Sequence, residues 1–418
     1  MFFSYILPLV VLFVGVYLLF KLKFFFLRHP IRTFLSFADS LKDKNDRRAL
    51  FLALAGTLGV GNIFGVASGI IYGGAGSVLW LALSSLFASV LKYSECVLSI
   101  DTLEDGIGGM HIVILKTFKR RGRPLSRLYA VACIMIALFM GGAMQSSAAV
   151  GAYTSLSQKS LLLPSIVFAL LVLIGVLGGG EKISKVTEKV IPLTMIVYIL
   201  LCFIAIFGNF SSLDNALLMI TEDALNPRAA TAGIGMHLFL TQFSEGFCRG
   251  ILSNEAGCGT SSFAHSRSSG RTPYSAGLSG MCEVFFDTSV LCILTALAIL
   301  CSVSDPQSYT SPMALVSDAV GKSLGGFSGV LLLLSVTAFA YSTVICWFYY
   351  GSVTSAYLAP RFGARAFALV FFAFLIFGVN IPSRTLIEAT DALLLVLCVL
   401  TVAAILRGRD RIRDLTLN

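Results

Sequence analysis

Residues 55–62 read Ala55-Gly56-Thr57-Leu58-Gly59-Val60-Gly61-Asn62. Glycine at 56, 59 and 61 weakens a helix at this point and lets a ligand approach the backbone. Yet the stretch lies inside an apolar run at 50–72, long enough to cross a membrane. A second glycine-bearing stretch, Thr231-Ala232-Gly233-Ile234-Gly235, opens the apolar run at 230–252. Matched interruptions five spans apart point to two halves of inverted topology around a midplane binding site. Close helix packing through small residues accounts for any lone glycine pair. The matched separation favours a site.

Working outward, the whole chain reads as a membrane protein. Of 418 residues 56% are hydrophobic and 13% charged, against about a quarter charged in soluble domains. Apolar runs fall near 3–20, 50–72, 76–100, 127–152, 160–178, 190–208, 230–252, 275–301, 325–353, 364–380 and 386–406. Eleven spans leave little chain for a catalytic head or a nucleotide-binding domain. The one Gly-Lys-Ser run, Gly321-Lys322-Ser323, has Val316 where a phosphate-binding loop needs its first glycine. The ten cysteines lie mostly in apolar runs without paired spacing, as reduced hydrophobes do, and form no disulfide or zinc framework. Nucleic acid is not the implied partner of the +9 charge, because basic residues in polytopic proteins gather in cytoplasmic loops.

Residues 3–20 lack a basic leader and a small-residue cleavage site and are followed by Lys21, Lys23, Arg28 and Arg32, so they read as a retained helix with its N-terminus outside. With that orientation, 27 of the 31 Lys and Arg fall in cytoplasmic segments; only Lys159, Arg228, Lys322 and Arg384 do not. A wrong number of spans would scramble this asymmetry. The C-terminus is then cytoplasmic. The outer segment 209–229 carries Asp214, Glu222 and Asp223.

Charges inside apolar runs are costly and mark functional candidates. Glu245 and Arg249 are four apart in the inner part of the seventh span, and Glu283 and Asp287 four apart in the eighth, each pair on one helix face. The plainer role is a polar network that positions the two helices; a proton relay or cation path is the alternative. Segment 106–119 is too short to span and is placed flat at the cytoplasmic surface. Residues 252–266, LSNEAGCGTSSFAHS, form a structured inner loop that includes Asn254 and Glu255, either connecting or gating. Asn209-Phe210-Ser211 matches a glycosylation sequon of a kind common by chance.

The runs GTLGVGNIFGVASGIIYGGAGSVLW (56–80), GGGEKISKVTEK (178–189), RGILSNEAGCGTSSFAH (249–265), GLSGMCEVFFDT (277–288) and FAYSTVICWFYYG (339–351) resemble, in order and spacing, the alanine/glycine:cation symporter family. The SNEAG block is the most specific of them. The resemblance implies an all-α membrane protein with a LeuT-type core of two inverted five-helix repeats, preceded by one extra helix. The divisions expected are 1–48 for the extra helix and a basic loop, 49–209 for the first repeat, 210–229 for an outer loop, 230–406 for the second repeat and 407–418 for a basic tail.

It also implies roles for single residues. Thr57 to Asn62 would hold the substrate carboxylate through the amides of Gly59, Val60 and Gly61, a chemistry suited to unwound helix ends. Gly233, Ile234 and Gly235 would line the same pocket, Gln145 would hydrogen-bond the substrate, and Trp347 would wall it. The cation would sit among the carbonyls of Ala55 and Leu58 and the hydroxyls of Ser342 and Thr343, an all-oxygen shell suited to sodium and not to a transition metal. Several positions depart from the family pattern around this pocket: Gly141-Gly142-Ala143-Met144-Gln145-Ser146-Ser147, Gly108-Gly109-Met110-His111-Ile112, and Thr231-Ala232 with Ile234.

The function implied is symport in a bacterial inner membrane. An inward monovalent cation gradient, sodium or protons, would drive uptake of a small neutral amino acid such as alanine or glycine, with no enzymatic step, no cofactor and no obligate protein partner. A non-transporting amino-acid sensor or a channel on the same scaffold is the rival reading. An intramembrane hydrolase ranks behind both, since no nucleophile and base pair in the sequence.

Overall fold

The computed structural model describes residues 2–103, 108–157, 161–225, 233–268 and 271–417. Every regular element among them is helical. Helix α1 (Phe2–Lys21) rises about 30 Å and ends at a turn where Lys23 and Phe24 are left-handed. Two short helices follow, α2 (Phe25–Arg28) and α3 (Pro30–Ser40), the second leaving Ile31, Phe34 and Leu35 exposed. Asp43 caps α4 (Lys44–Thr57) by accepting from the amides of Asn45 and Asp46 at 2.8 and 3.0 Å. Those amides, Asp46 first, hold its carboxyl below the ordinary value.

The second span then breaks. Residues 58–60 are not helical, Gly61–Gly65 form a wide π turn, and α5 (Val66–Gly73) leaves at 41° to α4. Helix α6 (Ser77–Asp101) is the strut of the molecule. Helix α7 (Met110–Thr117) buries Met110, His111, Val113 and Ile114. The segment expected flat at the surface is therefore tucked into protein, because its apolar side meets α8 (Gly122–Ile136) and not lipid. After α8 come a π stretch at Ala137–Met144 and α9 (Gln145–Ser157), then α10 (Leu162–Val176) and α11 (Gly179–Gly208).

Segment 210–229, expected as a loop, contains α12 (Leu213–Leu225). Helix α13 (Gly233–Asn254) gives way to turns at 255–260 and the one-turn α14 (Ser261–His265). The eighth span is α15 (Pro273–Val284), a π stretch at Phe285–Cys292 and α16 (Ile293–Ser302). The chain closes with α17 (Pro312–Leu324), α18 (Ser328–Leu358), α19 (Gly363–Phe377), α20 (Ser383–Arg407) and α21 (Arg409–Leu417).

Each of the eleven apolar runs coincides with a helix or an interrupted helix. Among the described residues seven helices meet the length and apolarity of a membrane crossing, eight with the bent pair α4 and α5, while Tyr5–Lys21 and Leu162–Val176 are shorter apolar helices. Helices α13 and α15 both lie along α6. They approach closely because glycine faces the contact: a methyl on Gly277 would sit 2.6 Å from the Tyr93 ring, and one on Gly280 2.7 Å from Cys96 Sγ. One end of the bundle carries Lys21, Lys119, Arg407 and Arg411 and is its basic end.

Asn209 donates to the Ala205 carbonyl and to the Ser302 and Ser323 hydroxyls. Its amide thus ties helix ends together. All ten cysteines are buried and free.

Candidate functional site

The first break begins at Leu58, where ψ of 75° turns the chain out of the helix. The Gly59 amide donates back to Thr57 O at 2.8 Å, and the Val60 amide donates to Gln145 Oε1 at 3.2 Å. The Leu58 carbonyl, freed from the helix, accepts from Thr343 Oγ1 at 3.2 Å. Only glycine fits at 59: a methyl there would come to 2.7 Å from Thr343 Oγ1 and 3.2 Å from Gln145 Oε1.

A second break lies at 255–260. Glu255 is left-handed at φ 53°, followed by Gly257 and Gly259 at 80° and 76°. Asn254 Oδ1 accepts from the Ala256 amide at 2.9 Å, and Tyr129 donates to Cys258 O at 2.8 Å. Three left-handed positions in five residues end a helix where a single glycine pair does not. The described part of the seventh span, α13, accordingly ends here. Gly233, Ile234 and Gly235 form the first turn of α13, about 27 Å of helix rise from Ser253. Thr231 and Ala232 lie outside the described residues.

The two breaks touch. Gly61 faces the Leu252 carbonyl and Ser253 Cα, each 3.6 Å from where a methyl would stand. Between them lies Asp287, on the π stretch of the eighth span. Its carboxylate accepts from Asn62 Nδ2 at 2.7 Å, Ser253 Oγ at 2.5 Å and Thr288 Oγ1 at 2.8 Å. Asn254 Nδ2 in turn donates to Thr288 Oγ1 at 3.0 Å. Asn62 Oδ1 is buried without a partner. Two broken helices crossing at buried polar side chains are the architecture of a transporter midplane site.

The comparisons with known proteins agree. The model of the sodium:alanine symporter family matches residues 1–410. The chain belongs to that family. It is similar to a sodium/alanine symporter of Methanococcus maripaludis, 30% identical over 84% of this chain and 78% of that one. It is also similar to an uncharacterized transporter of Haemophilus influenzae, 29% identical over 85% and 80%. In fold it resembles the LeuT-type transporter MhsT, solved with L-phenylalanine, at a TM-score of 0.62 and 14% identity, covering 86% of this chain and 87% of that one. The protein is thus a multi-pass membrane transporter of the amino-acid:cation symport class, with a LeuT-type fold, and not an enzyme.

Within this symporter the expected site residues divide. Thr57, Gly59, Val60, Gly61 and Asn62 line the first break, and Gln145 caps it. Trp347 of α18 is fully buried against Gly141, its Nε1 unpaired. Its ring begins an aromatic column through Tyr350 (5.5 Å), Phe263 (5.3 Å) and His111 (5.4 Å). Of the four expected cation ligands, Leu58 and Thr343 meet. Ala55 is buried nearby in α4, whereas the Ser342 hydroxyl donates to Ala338 and Phe339 carbonyls of its own helix.

The charged residues form two clusters on opposite sides of the breaks. Arg249, counted from sequence as a cytoplasmic residue, is buried in α13 on the side away from the basic end. Its Nη2 lies 2.5 Å from Asp391 of α20, and its Nε 3.4 Å from Glu245. With Tyr5, Tyr72 and Glu388 these groups line a cavity of about 330 Å³. On the other side, Lys92 pairs with Glu95 at 3.3 Å and donates to Ser261 Oγ at 2.9 Å. Ser261 donates to Glu283, which also lies 2.5 Å from His265 Nε2. Arg271 approaches His265 Nδ1 at 3.2 Å and Asp46 at 3.1 Å. That contact makes Nδ1 the acceptor and Nε2 the protonated nitrogen. Glu95 Oε2 accepts from the Gly259 amide at 2.5 Å, and Glu255 from Thr260 at 2.6 Å. Glu283 and Asp287, four apart, thus serve different clusters: Glu283 faces the basic end and Asp287 the breaks. Asp391, Lys92 and Glu95 were missed from the sequence, although Lys92 and Glu95 stand in an apolar run where any charge is a signal.

Proposed function

We propose that the protein uses an inward sodium gradient to accumulate a small neutral amino acid, alanine or glycine, in a bacterial inner membrane, with its N-terminus outside and its C-terminus cytoplasmic. The observation that carries this reading is the junction of the two breaks through Asn62, Ser253 and Asp287. The substrate carboxylate replaces the Gln145 oxygen at the Val60 amide, and Trp347 walls the pocket. A sodium ion finds oxygen at Leu58, Thr343 and Ala55, and at Ser342, whose hydroxyl keeps lone pairs free while donating its proton to its own helix. Arg249 and Asp391 close the outer side, and the cluster from Lys92 to Asp46 the inner one. The relative of M. maripaludis is named for sodium and alanine, which favours those two over protons and other solutes.

Reconstituted protein decides the matter. Labelled alanine should accumulate in proteoliposomes above its outside concentration under an imposed sodium gradient, and not under a pH gradient alone. Equilibration without accumulation is the channel result, and binding without uptake the sensor result.

A further inference from the structure

At the basic end, where α8 begins and α20 ends, Lys119, Arg120, Arg121 and Arg407 line a cavity of about 770 Å³ with Phe118 and Pro124. All four basic side chains belong to exposed residues. Several other cations at this end are paired: Lys21 with Asp410, Arg47 and Arg48 with Glu188, and Arg411 with Asp101. None of these four has an acidic partner among the described residues. Arg407 is also held in place, its guanidinium 5.4 Å from the centre of the Phe118 ring. Lys119 takes a left-handed backbone at φ 47°, which a lysine adopts only at a cost. Four like charges gathered around one cavity repel each other unless an anion lies among them.

The surface leading away from this cavity is apolar. On α8, Leu128, Val131 and Met135 are 50, 48 and 38% exposed, and they follow Pro124 at helical spacing. From Pro124 to Met135 the stripe rises about 16 Å, comparable with the reach of a phospholipid acyl chain. A free phosphate would use the cations and leave the stripe idle; a lipid uses both.

We propose that this cavity binds the phosphate headgroup of an anionic membrane phospholipid, with an acyl chain along Leu128, Val131 and Met135. Basic pockets between membrane helices are suited to such headgroups. The lipid bridges the span that carries Gln145 and the helix that carries Asp391, so its binding joins two elements that flank the site.

The test uses the full chain, purified and delipidated in detergent, with phosphatidylglycerol, phosphatidylcholine and inorganic phosphate as probes. Lipid adducts are counted by native mass spectrometry, and unfolding temperature is followed in parallel. Phosphatidylglycerol should bind and raise the unfolding temperature of the wild type, and phosphatidylcholine should not. The triple variant Lys119→Gln, Arg121→Gln, Arg407→Gln should lose about a hundredfold in phosphatidylglycerol affinity, from the usual contribution of each basic residue near a membrane surface. Its lipid-free unfolding temperature should lie close to that of the wild type, because relief of like-charge repulsion offsets the lost Arg407 contact with Phe118. Equal adducts with both lipids, or an unchanged affinity in the triple variant, overturns the proposal. Stabilisation by inorganic phosphate equal to that by phosphatidylglycerol overturns the lipid assignment and leaves an anion site.

Discussion

The two charged clusters that flank the crossing of the broken helices are built to different thickness. On the side of Arg249 the closure is one ion pair with Asp391 and a longer contact to Glu245, and the acids keep 16 and 23% of their side-chain surface on the cavity. On the basic side the chain Asp46, Arg271, His265, Glu283, Ser261, Lys92 and Glu95 ties α4, the segment after α13, α15 and α6 together, with Lys92, Glu95, His265 and Glu283 fully buried. A single pair whose acids keep part of their surface on a cavity exchanges partners more cheaply than a fully buried network, which must be broken as a unit. In this conformation the crossing is therefore shielded lightly on one side and heavily on the other. For an alternating-access transporter, the heavy side is where the larger barrier to opening lies.

The comparison is broken most directly by removing the cation from each cluster in turn. Lys92→Met leaves Glu95 and Glu283 buried without their cation, which should cost about 3–5 kcal/mol. Arg249→Met leaves Asp391, one of whose oxygens is buried, and the partly exposed Glu245 without their cation, and about 1–3 kcal/mol is expected. Thermal unfolding in detergent should show a larger fall for the first than for the second. Equal falls would mean that the two closures do not differ in kind.

The next effect concerns what lies between the closures. If Gln145 contacts substrate, Gln145→Ala should weaken alanine binding by about one to two powers of ten, the cost of a polar partner left unpaired in a dry pocket. Calorimetry at fixed sodium measures it. Because Gln145 Oε1 also holds the Val60 amide, the opposite result has a definite meaning. Tighter binding would mean that displacing this bond costs the substrate more than its own contact with Gln145 returns.

How much of this was legible in the sequence follows from what kind of signal each feature leaves. Apolar runs are long-range and redundant, so each found its helix. The first break was readable because Gly56, Gly59 and Gly61 stand within one run. The second was expected at 231–235, of which only Gly233, Ile234 and Gly235 are described, as the first turn of α13, whereas the break at 255–260 begins at Glu255, whose left-handed backbone no composition rule announces. The π stretches at 61–65, 137–144 and 285–292 were invisible as well, although two of them bring Asn62 and Asp287 to the crossing and the third ends beside Gln145. Pairings such as Arg249 with Asp391, 142 residues apart, belong to tertiary structure. Sequence offered Arg249 only Glu245, its neighbour on the same helix.

A smaller effect is expected at Thr343. Its hydroxyl reaches Leu58 O, but a sodium ion that loses one neutral ligand recruits water in its place. Thr343→Ala should raise the sodium concentration for half-maximal uptake several-fold, about 1 kcal/mol, with expression unchanged. A sodium requirement equal to that of wild type would remove Thr343 from the cation path and turn attention to Asp287, whose carboxylate lies at the crossing.

The smallest expected effect is the one that separates the two placements of the second break. Placed by glycine content, the break puts Ile234 in the substrate pocket, and truncating it should alter alanine affinity by tenfold or so, as loss of a large apolar side chain from a binding pocket does. Ile234 stands in the first turn of α13, about 28 Å of rise from Ser253 beside the break at 255–260, too far for direct contact with a small amino acid at the crossing. Ile234→Ala should then change alanine affinity less than about twofold, within the usual range for a substitution remote from the site. A tenfold loss would show that the substrate meets α13 near its start and would move the binding site off the crossing altogether. The thin closure at Arg249 would then lie between substrate and the interior, not between substrate and the cavity.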